Sequence, residues 1–138
     1  MASGLDIQIL APDKPVAEVK AKSLMVPGTL GYMTSLAGHA PMVTELDIGH
    51  LKVEKEGSED LNYFVSGGYV EILQDKVVVL ADVVENPNDI DADRAESASK
   101  RAKDRLASKD TEVDQLRAQS SLKRAEARLA IFRLLTSK

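Results

Sequence analysis

Two periodicities, one after the other, predict a mixed α+β chain. An antiparallel β-sandwich or flattened barrel should occupy residues 1–88, and an antiparallel α-helical hairpin residues 89–138. The first observation is alternation of apolar and polar residues up to residue 84. The second is the segment Glu85-Asn86-Pro87-Asn88, where Pro87 cannot donate to a strand ladder and disfavours helix in the residue before it. The third is an apolar spacing of three and four beyond that break.

Taken in order, Leu5, Ile7 and Ile9 alternate with Asp6 and Gln8, which makes a half-buried strand. Leu51 and Val53 alternate with His50, Lys52 and Glu54. Leu61, Tyr63 and Val65 repeat the pattern, Val70 and Ile72 flank Glu71, and Val77 to Ala81 is an unbroken apolar run. Turn signals separate these runs: Pro12-Asp13, Pro27-Gly28, Asp47-Ile48-Gly49, Glu56-Gly57-Ser58 and Gln74-Asp75. Gly67-Gly68 between two alternating runs reads as a hairpin or a bulge.

Past Pro87, Asp89 and Asp91 are both candidate N-caps, and Asp93 and Glu96 suit the first turn of a helix. Ala95, Ala98, Ala102 and Leu106 form its apolar line, and it should end near Ala107. Ser108-Lys109-Asp110-Thr111 reads as a short connection. Thr111, with Asp114 three residues on, starts a second helix whose seam is Ala118, Leu122, Ala125, Leu129 and Phe132. Two amphipathic helices joined by so short a link fold back on one another. The alanine-rich seam buries little area, so this hairpin is the less stable half and suits a moving part.

Charge divides at the same boundary. All seven arginines lie after residue 93. The first 88 residues carry six lysines against thirteen carboxylates, a net of −7, and the last 50 are net +3. The second half is therefore where an anionic ligand or partner should be sought. Scarce aromatics, no Trp and an overall acidic balance argue against a nucleic-acid binder. The absence of cysteine excludes disulfides and thiolate metal sites. No apolar run reaches the ~20 residues of a membrane span, and no leader pattern opens the chain, so membrane association is expected only through other proteins.

No catalytic constellation emerges. The chain has neither a phosphate-binding Gly-x-x-x-x-Gly-Lys-Ser/Thr loop nor a Gly-x-Gly-x-x-Gly turn, and no nucleophile elbow. Its two histidines form no metal pair, and the carboxylates have no ligand spacing, so neither catalytic residues nor a metal are expected. His39, in Gly38-His39-Ala40-Pro41, reads as a loop residue bonded to backbone or as an interface contact. Helical spacing places Asp91, Arg94, Arg101 and Arg105 on one face of the first helix. Arg117, Arg124 and Arg128 share a face of the second. In an antiparallel hairpin Arg94 and Arg101 would face Arg124 and Arg128 and call for an anion, such as a nucleotide triphosphate or an acidic partner patch. The alternative is a pair of solvated faces with Glu126 and Asp104 nearby.

Phe64-Val65-Ser66-Gly67-Gly68-Tyr69-Val70-Glu71-Ile72, followed by Val78-Val79-Leu80-Ala81-Asp82, resembles the epsilon subunit of F-type ATP synthase. Gly38-His39-Ala40-Pro41-Met42 and Ile90-Asp91-Ala92-Asp93-Arg94-Ala95 fit the same family. The resemblance covers residues 5 to 135 and looks bacterial or plastid in type, since the Arg-rich transit peptide of the mitochondrial counterpart is not seen. It implies a sandwich of about ten short strands. It also implies a non-catalytic place in the central rotor stalk, between the gamma subunit and the c ring, beneath the alpha/beta hexamer. The complex would sit on the cytoplasmic face of the inner membrane. The hairpin would move, and when extended it would block ATP hydrolysis. No cofactor is required, but ATP is a regulatory ligand in some bacterial members that carry an Ile/Leu-Asp-x-x-Arg-Ala motif. Ile90, Asp91, Arg94 and Ala95 match that motif, Arg101, Arg124 and Arg128 match further contacting arginines, and Glu85 matches a contacting acid. Arg117 and Arg124 are the expected contacts to the beta subunit, and Tyr32, Gly38, His39 and Pro41 the expected ring- and gamma-facing residues. Thr34 and Ala37 depart from the glycine and proline common in the ring-facing loop, and Tyr32 stands where many relatives carry an acid. A purely structural stalk adaptor, with no ATP site and a non-inhibitory hairpin, is the competing reading.

Overall fold

The computed structural model describes residues 4–108 and 112–136, in two compact units, Met1–Glu85 and Asn86–Lys138. The first unit contains eight strands: β1 Leu5–Ala11, β2 Lys14–Ala21, β3 Ser23–Gly28, β4 Gly31–Leu36, β5 Met42–Glu45, β6 Ile48–Glu54, β7 Leu61–Ile72 and β8 Lys76–Glu85. The second contains a short 3₁₀ turn, Pro87–Asp89, then α1 Ala92–Ala107 and α2 Glu112–Thr136. The expected N-cap Thr111 lies outside the described residues.

The two longest strands explain how the sandwich is built. The first part of β7 pairs with β6 from Val53↔Leu61 to Ile48↔Ser66, and its last part pairs with β5 from Glu45↔Tyr69 to Met42↔Ile72. β8 does the same: its first part lies against β1, from Asp6↔Lys76 to Leu10↔Leu80, and its last part reaches Phe64↔Glu85 on β7. Each of these strands therefore serves both layers. One layer is β2-β1-β8-β7-β5 and the other β8-β7-β6-β3-β4. Eight strands thus supply ten strand segments, which reconciles the structure with the larger number the resemblance implied. Every pairing is antiparallel except β1 with β8, which is parallel. The rest of the unit forms the long crossover that a parallel pair needs.

Gly67-Gly68 is neither a hairpin nor a register-shifting bulge. The chain runs straight on as β7, and the β7/β8 ladder keeps its register while skipping the Gly67–Asp82 pair. The break is where the strand passes from one layer to the other. Gly68 has φ 118°, and a Cβ there would lie 2.0 Å from the carbonyl oxygen of Leu80. No side chain fits there, and the dipeptide is a crossing point within one strand in place of the hairpin or bulge expected.

The core between the layers follows the alternation. Leu5, Ile7 and Ile9 are 0–1 % exposed, and Leu51, Val53, Val65, Val70, Val77 and Val79 are fully buried with them. Phe64 is equally buried but lies on the other face of β7 from Tyr63 and Val65.

Candidate functional site

The start of the hairpin is built residue by residue from the chain break. Asn86 Oδ1 accepts from the Asn88 N–H at 3.0 Å and caps the 3₁₀ turn, with Pro87 at a position that needs no donor. Ile90 stays extended and is buried, 7 % exposed. Of the two candidate caps the fold uses Asp91: its Oδ1 accepts from the Arg94 N–H at 3.1 Å. Ala95, 5 % exposed, is the first residue of the buried helix face. Three of the four motif positions thus have a local structural role: an apolar anchor, a cap and a small packing residue. Arg94 does not. Its side chain is exposed on the first turn.

α1 ends at Ala107, and α2 runs back antiparallel to it. Arg133 Nη2 lies 3.8 Å from Glu96 Oε1 at one end of the pair, and Gln115 Nε2 donates to the Arg105 carbonyl at 3.3 Å at the other. Between them Ala95, Ser99 and Ala102 are buried on α1, and Ala118, Ala125 and Leu129 on α2. Ala98, Leu106, Leu122 and Phe132 are only half-buried. Two buried residues escaped the sequence reading. Ser99 is polar but small enough for the seam, and Ile131 lies off the 4-3-4-3 line.

The hairpin has two unlike flanks. At roughly 100° per residue, Arg94, Arg101 and Arg105 all lie to the same side of the α1 seam, and Arg117, Arg124 and Arg128 lie to the matching side of the α2 seam. Antiparallel helices turn these flanks to one common side. There an open groove of about 410 Å³ is lined by Arg105, Arg117 and Arg124 with Ser120, Ser121 and Leu116. The opposite flank carries a groove of about 730 Å³ in which Lys100, Lys103 and Arg133 mix with Glu96 and Glu126. Among the described residues, the lining of the Arg105 groove contains no acid, whereas that of the other groove contains two. Arg124 and Arg128 are half-buried and the other four are exposed. Glu85 belongs to the strand unit, as the last residue of β8.

The loop residues sit as follows. Gly38 N–H donates to Gln74 O at 2.6 Å and His39 N–H to Leu36 O at 3.2 Å, which fixes the loop. His39 Nδ1 donates to the Ala40 carbonyl at 2.6 Å, the backbone role expected for a turn histidine, and Pro41 is exposed. Tyr32 is 57 % exposed, yet its hydroxyl is engaged: it accepts from the His50 N–H at 2.9 Å. The β3–β6 ladder stops at Met25↔Lys52, and Pro27 has no N–H to continue it. Tyr32 bridges that gap across Pro27, and Gly49 gives it room, since a Cβ there would lie 2.5 Å from the Tyr32 oxygen. Tyr32→Phe should therefore cost about 0.5–1.5 kcal/mol, one hydrogen bond, while keeping the exposed ring. The check is a lowered melting temperature together with faster exchange of the His50 amide.

Among the described residues no group of three or more His, Asp or Glu comes together as a metal site, and no helix is long and apolar enough to cross a membrane. Two family models match consecutive stretches of the chain. The one described as ATP synthase, Delta/Epsilon chain, beta-sandwich domain takes residues 4–87, and the one described as ATP synthase, Delta/Epsilon chain, long alpha-helix domain takes residues 88–132. The ATP synthase epsilon chain of Koribacter versatilis is 41% identical over 112 residues, 81% of this chain and 78% of that one. The epsilon chain of Pelotomaculum thermopropionicum is 41% identical over 103 residues, covering 75% and 76%. In a cryo-EM structure of the Euglena gracilis mitochondrial ATP synthase (OSCP/F1/c-ring), one chain superposes with a TM-score of 0.86 at 23% identity, covering 94% of this chain and 82% of that one. A chain of the Tetrahymena thermophila central stalk and c-ring superposes at 0.70 and 13% identity, covering 93% and 96%. At these identities the likeness is one of fold.

Proposed function

This chain belongs to the delta/epsilon chain family of ATP synthase, and from that premise we propose that it is a central-stalk rotor subunit of the F-type complex. In this reading the strand unit joins the gamma subunit to the c ring, the chain is a non-catalytic part of the complex, and it reaches the membrane through its partners. The hairpin regulates: extended toward the alpha/beta hexamer it blocks ATP hydrolysis, and folded it releases the block. ATP held by Arg94, Arg101, Arg124 and Arg128 favours the folded form.

The observation that carries this reading is the unequal build of the chain. The strand unit has a deep core of branched aliphatic residues, whereas the hairpin seam is mostly Ala95, Ala102, Ala118 and Ala125 with Ser99. At ~25 cal/mol per Å² such small side chains contribute little. The Arg133–Glu96 pair adds little more, since both side chains are about two-thirds exposed and its 3.8 Å contact is screened by solvent. A weakly held, arginine-flanked helix pair suits reversible release toward a carboxylate-rich surface.

Removing residues 89–138 is expected to raise ATP hydrolysis by the assembled complex while leaving the complex intact. Neutralising Arg117 and Arg124 together should reproduce part of the rise, more at low salt than at high salt, because screening weakens exposed ion pairs. Hydrolysis unchanged by the deletion would leave the structural-adaptor reading in its place.

A further inference from the structure

We propose that the free edge of β4 is a strand-pairing surface, to which a partner protein adds an extended, uncharged segment of its own chain as the next strand. β4 is the last strand of its layer. Its register with β3 is unbroken from Ser23↔Leu36 to Gly28↔Gly31, around a two-residue hairpin loop. Such a loop is closed by a hydrogen-bonded pair, so Gly31, Met33 and Ser35 turn their main-chain groups toward β3. The Pro27 carbonyl agrees with that parity: it faces away from β4 and accepts from the Asp47 N–H at 2.7 Å. The main-chain groups of Tyr32, Thr34 and Leu36 therefore face outward. Among the described residues, the Leu36 carbonyl is engaged, accepting from the His39 N–H at 3.2 Å, while the Tyr32 and Thr34 groups have no strand beside them.

The edges of the strand unit are not alike. β2 carries Lys14, Pro15, Glu18 and Lys20, and its register with β1 shifts between Ile9 and Leu10. β5 is four residues long, ends on Glu45 and follows Pro41. Charge, proline, irregular register and shortness are the features by which sheet edges turn other strands away. β4, Gly31-Tyr32-Met33-Thr34-Ser35-Leu36, has none of them. Its outer side chains, Tyr32, Thr34 and Leu36, are all exposed. The Tyr32 ring does not close the edge, because its hydroxyl reaches inward across β3 to the His50 N–H. An added strand would meet main-chain donors and acceptors along about 20 Å and apolar neighbours for its alternate side chains. A charged side chain there would find no opposite charge on β4, hence an uncharged segment. A second copy of this chain is the poorer occupant. Antiparallel pairing along the whole edge would set Tyr32 against Leu36 of the other copy, and that needs the Leu36 carbonyl already held by His39. Two such strands alone also bury far less than the ~1,200–2,000 Å² of a stable interface. A neighbouring subunit with further contacts elsewhere escapes that limit, and for such a partner the proposal rests on the stalk-subunit reading.

The test follows amide hydrogen exchange residue by residue, in the free chain and in the assembled ATP synthase complex that has taken it up. In the free chain the edge should alternate, with the Met33 and Ser35 amides slow and those of Tyr32, Thr34 and Leu36 fast. In the complex the Tyr32 and Thr34 amides should slow about tenfold or more, which removes the alternation. Thr34→Pro deletes one outward N–H and no bond of the free sheet, so it should keep the wild-type circular dichroism. In competition with the wild type it should enter the complex about tenfold less well, because it loses a donor and its ring stands where the added strand would lie. Thr34→Ala keeps the N–H and should compete as the wild type does. Equal loss in both variants would mean a side-chain contact at Thr34 and overturn the strand pairing. Fast exchange of Tyr32 and Thr34 in a complex that contains the chain would overturn it too, whether or not the proline variant folds. Slowing that grows with concentration in the free chain would put a second copy on the edge and displace the partner strand. Failure of the wild type to enter the complex would sink the stalk-subunit reading and this edge together, whereas uptake without protection sinks the edge alone.

Discussion

Gly68→Ala is expected to be the most damaging single substitution in the strand unit, lowering its stability by about 3 kcal/mol or more. Two effects add. The backbone at φ 118° is one that L side chains rarely adopt, a strain worth ~1–3 kcal/mol. The new methyl would also stand 2.0 Å from the Leu80 oxygen and 2.9 Å from the Ala81 Cα, so two backbones must move apart. Overpacking of this kind costs about 1–3 kcal/mol again. The neighbouring atoms are main chain in a continuous ladder and have no rotamer by which to withdraw. For a unit of this size the loss corresponds to a fall of about 12 °C or more in melting temperature. Thermal melts of the full chain, followed by the strand signal in circular dichroism, provide the measurement. A variant melting within ~2 °C of the parent would show that the strand passes between layers by some less constrained route.

The second large effect concerns ATP. Arg94→Ala and Arg128→Ala are each expected to weaken ATP binding about tenfold or more, since a hydrogen bond to a charged group contributes ~1.5–3 kcal/mol. Arg94 is the natural first choice because Ile90, Asp91 and Ala95 already have structural work in the turn and seam. Arg128 is half-buried, so less of its charge is screened by solvent. Asp91 is a poor probe, because its carboxylate caps α1 and its removal costs about 1 kcal/mol of helix whatever the ligand does. Calorimetry on the isolated chain reads the affinities. ATP should also stabilise the chain by mass action, by ~2.7 kcal/mol at a hundred times the dissociation constant, and so raise its melting temperature. If the wild type binds no ATP at millimolar concentration, or both variants bind as well as it does, the motif is a helix start with a charged face.

The elements that could be read from the sequence are those whose burial is one-sided. Leu5, Ile7 and Ile9 alternate because one face of β1 lies in the core, and all three are buried. The proline break marks where β8 stops and the helical unit begins, and Ala107 ends α1 as its spacing implied. The sequence pattern did not mark β3, which lies inside its layer, nor the three edge strands. β4 and β5 show a mostly exposed or half-exposed run, and β2 is similar, so no apolar alternation distinguishes them. Their places are set by ladders to distant partners, such as Val43↔Glu71, which one-dimensional spacing does not contain. The arginine flank was legible for the same reason as β1, because 94-101-105 and 117-124-128 repeat a helical interval. Which arginine of one helix stands level with which of the other depends on the length and geometry of the connection. That is why the groove shared by Arg105, Arg117 and Arg124 emerged only from the fold. Tyr32 shows the limit from the other side. Its hydroxyl's partner is a backbone N–H eighteen residues away, beyond the end of the β3–β6 ladder and opposite a Pro27 carbonyl already taken by the Asp47 N–H.

The sharing of β7 and β8 between layers has a mechanical consequence. In a sandwich whose layers touch only through side chains, a twisting load can make one sheet slide over the other, because dispersion contacts resist shear weakly. Here two covalent chains pass from sheet to sheet, side by side and in register on both sides of the crossing. Sliding would have to stretch both backbones and tear the ladder between them at once. Torque entering at one face is carried to the other along peptide bonds, with little slack. The strand unit is therefore stiff in the direction a rotating shaft would stress it, and compliance is left to the thinly packed pair of helices.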